Sequence, residues 1–237
     1  MSRHLAVRFA ITACAALAVV PVAAQAAPGA GEATSFSASF TTQRPHAASG
    51  LVLRTTGRPP EPPTTLAPVI RQTVTFPRGT RLRPQALPQC AADDAALAAQ
   101  GAPVACPIAS RVGSGRAEGV RDGAPVGFDL GVYAIRGRLF FAAELNGQPL
   151  KRGFWATAHG RRLALVVPTF NGQIAPTLFR ARIEAGTVGH AWLRTPNRCP
   201  RRARWRFSGA FAPLWSAYDT TPLAPVQVLR AGSACRW

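Results

Sequence analysis

Val126-Gly127-Phe128-Asp129-Leu130-Gly131-Val132-Tyr133-Ala134-Ile135 and Arg138-Leu139-Phe140-Phe141-Ala142-Ala143-Glu144-Leu145 are two apolar runs of strand length, and Asn146-Gly147 follows the second directly. Both positions of an Asn-Gly pair accept a positive φ, so the dipeptide after an apolar run is a strong hairpin signal. Gly153–Ala158 is then the returning strand. His159-Gly160-Arg161 turns the chain again into Leu163–Val167. Short apolar runs separated by turn residues, with no intervening helical pattern, predict an antiparallel meander.

The same signals continue on either side. Thr34–Thr41 alternates apolar and polar residues with period two, Leu51–Arg54 is a short strand, and Val69–Phe76 ends at the turn Pro77-Arg78-Gly79. Arg58-Pro59-Pro60-Glu61-Pro62-Pro63 forces an extended, polyproline-like connection. Downstream, Leu178–Ile183 and Arg202–Phe207 alternate arginine with apolar residues, and Pro225–Leu229 is a last short strand. The pattern predicts an all-β fold, an antiparallel sandwich-like sheet or open barrel. The apolar registers place Phe36, Phe40, Val74, Phe128, Leu130, Phe140, Leu165, Val167, Ile183, Trp205 and Phe207 in the core.

Residues 87–115 differ. Ala91–Gln100 is the one good helix candidate, with Asp93 and Asp94 to cap its start and Gly101 to stop it. It lies between Cys90 and Cys106, so one short helix is expected in a disulfide-closed loop, a stapled insertion on the β domain. Gly113-Ser114-Gly115 is expected to make a flexible turn.

The N-terminus sets the compartment. Arg3, His4 and Arg8 precede an apolar run from Phe9 to Val20, and Ala24-Gln25-Ala26 gives the small-x-small pattern cut by signal peptidase. The expected organisation is therefore a signal peptide over 1–26, a flexible start over 27–33 and a single β domain over 34–237. Ile11-Thr12-Ala13-Cys14 also matches a lipoprotein cleavage pattern, with Cys14 as the lipid attachment site. However, most of the apolar run follows that cysteine, which favours general secretion. No later segment reaches the roughly 18 apolar residues of a membrane span. Beyond Cys14, the cysteines are Cys90, Cys106, Cys199 and Cys235, an even set for an oxidising compartment. Local pairing predicts Cys90–Cys106 and Cys199–Cys235, worth about 3 and roughly 4 kcal/mol of chain entropy.

The chain carries 28 basic and 10 acidic residues, a net charge of +18, and its only lysine is Lys151. Such a skew towards arginine, with many Ala, Pro and Gly, follows from a GC-rich genome. The shortage of acids does not, and the resulting field attracts polyanions. Arg202, Arg204 and Arg206 share one strand face, and Arg180 and Arg182 another; these five are the candidate anion-binding residues. Guanidinium groups suit bidentate capture of phosphate, sulfate or carboxylate. The competing explanation is a solvated sheet face enriched by codon bias.

Other chemistry finds little support. His46, His159 and His190 are far apart, and no Cys-x-x-Cys or His-x-x-x-His spacing is present, so neither metal nor cofactor is expected. Gly113-Ser114-Gly115 is not the G-x-S-x-G nucleophile elbow. No carboxylate pair has the spacing of a glycosidase. The tryptophans Trp155, Trp192, Trp205, Trp215 and Trp237 could form a sugar-stacking platform, though in a β domain they more often pack in the core.

Phe76-Pro77-Arg78-Gly79, Leu87-Pro88-Gln89-Cys90 and Cys106-Pro107-Ile108-Ala109-Ser110-Arg111-Val112-Gly113 together resemble a pattern in secreted proteins of high-GC actinobacteria. Thr195-Pro196-Asn197-Arg198-Cys199-Pro200, the Trp205 strand and Cys235 fit the same set. The resemblance implies export and the cysteine pairing and brings no catalytic residue. The expectation is a secreted or cell-wall-associated, non-enzymatic binding or structural protein whose partner is an anionic polymer of the cell envelope, with no specific nucleic acid. The alternative is a secreted hydrolase acting on cell-wall polymers. A Ser, His and acid converging in one cleft would favour the hydrolase, and a flat arginine face would favour binding.

Overall fold

A computed structural model describes residues 32–58, 69–167, 169, 173–186, 190–214, 216, 218 and 220–236. The expected signal peptide and cleavage site, the lipoprotein pattern at Cys14, the prolines 59–63, Trp215 and Trp237 lie outside the described residues, as does nearly all of the expected flexible start at 27–33.

The strands are β1 (Glu32–Phe40), β2 (Leu51–Arg58), β3 (Val69–Thr75), β4 (Arg81–Leu82), β5 (Arg111–Arg121), β6 (Ala124–Ile135) and β7 (Arg138–Leu145). They continue with β8 (Gln148–His159), β9 (Arg162–Val167), β10 (Ala175–Ile183), β11 (Leu193–Arg194), β12 (Arg204–Leu214) and β13 (Gln227–Ala234). Eleven of them form one antiparallel sheet in the order β1-β2-β10-β5-β6-β7-β8-β9-β3-β12-β13, while β4 and β11 pair separately. Consecutive hairpins build β5 to β9. Asp122-Gly123, Arg136-Gly137 and Asn146-Gly147 each hold two residues at positive φ, which matches hairpin twist to strand twist.

The sheet curls until its two edge strands, β1 and β13, meet. The seam is made by side chains: the Ala33 N–H donates to Gln227 Oε1 at 3.0 Å, and Gln227 Nε2 donates to the Ala33 carbonyl at 2.7 Å. Farther along, the Phe40 N–H donates to Ser233 Oγ at 3.2 Å. Inside the curl lies the main core. Phe40 meets Trp205 edge to face at 5.1 Å and also contacts Phe76 and Phe207, while Phe141 stacks on Phe154 at 4.8 Å. Every residue expected in the core is buried.

Apolar runs without alternation in β6 and β7 have a structural reason. Leu139, Phe141 and Ala143 face the main core. Phe140 and Ala142 face outward, where Tyr133, Ile135, Leu97, Ala102 and the Cys90–Cys106 pair cover them in a second cluster. The cover is the stapled unit. Its helix α1 (Asp94–Gln100) starts later than Ala91, because Asp93 is the N-cap and accepts from the Ala96 N–H at 2.8 Å. Gly101, at φ 76°, ends it, and a single further turn, α2 (Ala102–Ala105), leads to Cys106. Both predicted disulfides are present, with Cα atoms 5.3 Å apart in Cys90–Cys106 and 5.6 Å in Cys199–Cys235.

Two local expectations need correction. Gly113-Ser114-Gly115 is a straight part of β5, paired with Ile183, Arg182 and Ala181. The glycines are there because an added Cβ would overlap the Arg182 carbonyl at Gly113 and the Arg180 carbonyl at Gly115. Arg202 precedes β12 in a turn closed by Ala203 N–H donating to the Pro200 carbonyl at 2.8 Å. Ala203 sits there at φ 49° and is exposed, so alternation begins only at Arg204.

Candidate basic surface

Two separate arginine faces emerge. On β12, Arg204 and Arg206 point outward while Trp205 and Phe207 are buried. Arg206 is opposite Gly232 on β13, and Arg230, two residues earlier on that strand, is opposite Ser208. On the other side, Ser208 is opposite Thr75 of β3, which is opposite Arg162 of β9. Arg162, Arg204, Arg206 and Arg230 are all exposed, and Arg202 is exposed at the lip. The four adjacent strands β9, β3, β12 and β13 contain no Asp or Glu. Sequence inspection finds Arg202, Arg204 and Arg206 because they are close together; it misses Arg230 and Arg162, which only sheet register brings to the same wall.

The second face is on β2, β10 and β5. Arg180 is directly opposite Arg54 on one side and Arg116 on the other. The row then continues through Asp129 and Glu144. Acids divide these arginines. Arg116 Nε bonds Glu118 at 2.7 Å and its other nitrogen lies 3.7 Å from Asp129, while Arg182 Nε bonds Glu184 at 2.7 Å. The hydrogen bond to Glu118, and then its charge, push Arg116 above its ordinary pKa; Glu184 does the same to Arg182. Exposed pairs of this kind add little stability. Their consequence is neutralisation. Among the described residues, Arg54 and Arg180 have no acid partner within salt-bridge distance. Arg180 and Arg182 share the exposed face of β10, as expected from the alternation, but Arg182 is paired with Glu184, and Arg54 is the arginine directly opposite Arg180.

Across the seam, β1 lies between Arg230 on β13 of the first face and Arg54 on β2 of the second.

Catalytic groups do not converge among the described residues. His46 Nδ1 is 2.8 Å from Asn197 Oδ1, His159 ends β8, and His190 lies in the loop after β10. No described group of His, Cys, Asp and Glu is arranged to hold a metal. A groove of about 590 Å³ is lined by Val126, Phe128, Leu145, Leu150 and Ile174 together with Arg121, Lys151 and Arg152, and its lining holds no Ser, His or acid. A smaller cavity beside Gln72 and Thr55 also lacks these groups. Trp192 and Trp205 are buried, with their ring N–H groups donating to the carbonyls of Glu184 and Arg198. Trp155 packs on Phe140 and carries the Arg138 guanidinium 3.8 Å above its ring. None of these three offers an open stacking face. No described helix is long and apolar enough to cross a membrane.

No family model and no curated protein matches the chain. Solved structures with a similar arrangement include the N-terminal domain of the Streptococcus gordonii adhesin Sgo0707, with TM-score 0.36, 6% identity, and coverage of 85% of this chain and 32% of that one. The collagen-binding subdomain of the Enterococcus faecalis surface protein ACE matches with TM-score 0.33 and 7% identity over 84% of this chain and 95% of that one. The T6 backbone pilin of Streptococcus pyogenes matches with TM-score 0.39 and 8% identity over 85% and 35%. The chain thus spans about a third of the adhesin and pilin structures.

Proposed function

We propose that this chain is a secreted, non-enzymatic binding or structural domain that holds anionic polymers of the cell wall or extracellular space. One observation carries the reading: four adjacent strands, β9, β3, β12 and β13, present Arg162, Arg204, Arg206 and Arg230 and contain no acid. Codon bias explains many arginines but not their separation from carboxylates. Such a wall concentrates positive potential where a polyanion can lie across several strands. Two disulfides accord with an oxidising compartment. The N-terminal pattern through Ala26 and the resemblance to secreted actinobacterial proteins support export.

Co-sedimentation with isolated cell wall across a salt series tests the proposal. Binding should fall steeply with added salt, because exposed charges are screened within about 8 Å at physiological ionic strength. An Arg204→Gln/Arg206→Gln/Arg230→Gln triple variant should lose most of the binding. A variant of equal charge loss at Arg78, Arg121 and Arg152 should retain it. Equal losses in both would show that total charge alone matters and would overturn the assignment of the wall.

A further inference from the structure

We propose that Arg54 and Arg180 form a site for a tetrahedral oxyanion with three free oxygens, the sulfate or phosphate group of a monoester, with β1 between it and the β13 edge of the acid-free wall. The two residues are directly opposite on adjacent antiparallel strands. Residues in such positions have Cα atoms roughly 4.5–5.5 Å apart, and like charges placed there destabilise the sheet. Nature's usual remedy, a neighbouring carboxylate, is present for the flanking arginines and missing here. Glu118 and Asp129 engage Arg116, and Glu184 engages Arg182. The flanking cations are neutralised and fixed, while the central pair keeps both charges.

Ligand chemistry follows from this count. A carboxylate has one charge and two oxygens, which a single guanidinium fork occupies. A phosphate monoester carries up to two charges and a sulfate monoester one, and each presents three free oxygens, enough for forks from both sides. Ser37 extends the donor row, since it is opposite Arg54 on β1 and its hydroxyl is exposed. The adjacent Ser35 hydroxyl is already held by Thr56 at 2.6 Å. The site therefore spans three consecutive strands, Ser37-Arg54-Arg180, with the Glu118 and Glu184 carboxylates directed to their own arginines. It does not depend on the polymer-binding role of β12 and β13.

The test is calorimetric titration of the protein with sodium sulfate and, separately, inorganic phosphate, at ionic strength held constant with sodium chloride. Sodium acetate is the carboxylate arm. Sulfate or phosphate should bind saturably, and Arg54→Gln or Arg180→Gln should each weaken binding by about tenfold or more. Acetate should not saturate. Arg78→Gln, at an exposed arginine outside both faces, should leave the titration unchanged. Thermal melts keep the outcome clear of folding artefacts: without anion, Arg54→Gln should be at least as stable as the parent, because a repulsive pair has been removed. The better of sulfate and phosphate identifies the ester. Absence of saturable binding by either anion would overturn the site, as would an equal loss in Arg78→Gln or saturable acetate binding of equal strength. Loss of cell-wall binding in the β12–β13 triple variant with sulfate or phosphate binding intact would separate the two proposals.

Discussion

Gln227 gives Ala33 both hydrogen bonds that a neighbouring strand would have supplied, accepting from its N–H at 3.0 Å and donating to its carbonyl at 2.7 Å. An amide side chain is a peptide group in miniature, with a donor and an acceptor side by side. Ala33 is buried, so its backbone groups cannot turn to water without cost. Gln227→Ala should therefore destabilise the protein by about 1–3 kcal/mol. Gln227→Glu should also cost stability, because it keeps the acceptor and loses the donor. Urea denaturation compares the variants. A neutral Gln227→Ala would mean that core packing and the Phe40–Ser233 hydrogen bond suffice to hold the β1–β13 seam.

Gly115 tests the corrected place of the Gly113-Ser114-Gly115 segment. An added methyl at Gly115 would overlap the Arg180 carbonyl of the adjacent strand, whereas the Ser114 side chain is exposed. Gly115→Ala should cost about 1–3 kcal/mol by overpacking, and Ser114→Ala should be nearly silent in stability. Paired thermal melts decide it. A tolerated Gly115→Ala would show that β5 can separate from β10 at low cost.

How much of this was visible beforehand depends on the range of the cause. Arg138–Leu145 is found where expected, to the residue, because apolar pattern and turn residues are local signals. The first half of β5 is hidden because Gly113 and Gly115 are chosen for the Arg182 and Arg180 carbonyls of β10, far along the chain, not for their own strand preference. The core residues of β12 were equally visible through Trp205 and Phe207. Its continuation to Leu214 was not, since Ser208, Gly209 and Ala210 break the contrast between faces.

For the basic surface the division is sharper. Alternation shows that Arg180 and Arg204 point outward, but not which strands lie beside them. Arg54 looks like an isolated arginine in sequence and faces Arg180 only because β2 and β10 are neighbours in the sheet. The acids that neutralise Arg116 and Arg182 are local, at i+2 on the same strand or just beyond it. That spacing could have been used to set Arg182 aside.

Thr80 offers a test in the opposite direction. Its hydroxyl is buried and has no hydrogen-bond partner among the described residues. A buried polar group without a partner carries its desolvation cost uncompensated. Thr80→Val keeps the shape and removes the hydroxyl, so it should be neutral or should stabilise by up to about 1–3 kcal/mol. Calorimetric melting is sufficient. A clear loss of stability would show that the hydroxyl has a partner in solution.

Tyr133 sets an alkaline limit. Its ring lies in the outer cluster opposite Phe140 and close over Gly131, where an added Cβ would be 2.8 Å from Cε2. Burial raises the phenol above its ordinary pKa; Arg111 opposes this shift and Glu144 adds to it. The folded state therefore holds the proton more tightly than the unfolded chain does. By linkage, the resulting stability is present in full below the unfolded value near pH 10 and is lost as pH rises through the folded value. Melting temperatures of the parent and Tyr133→Phe, measured from about pH 8 to pH 11.5, should run parallel at the lower end. Above pH 10 the parent should fall faster than the variant. Parallel curves throughout would mean that the phenol ionises in the folded state as readily as in water, and that the cover over β6 and β7 is open to solvent.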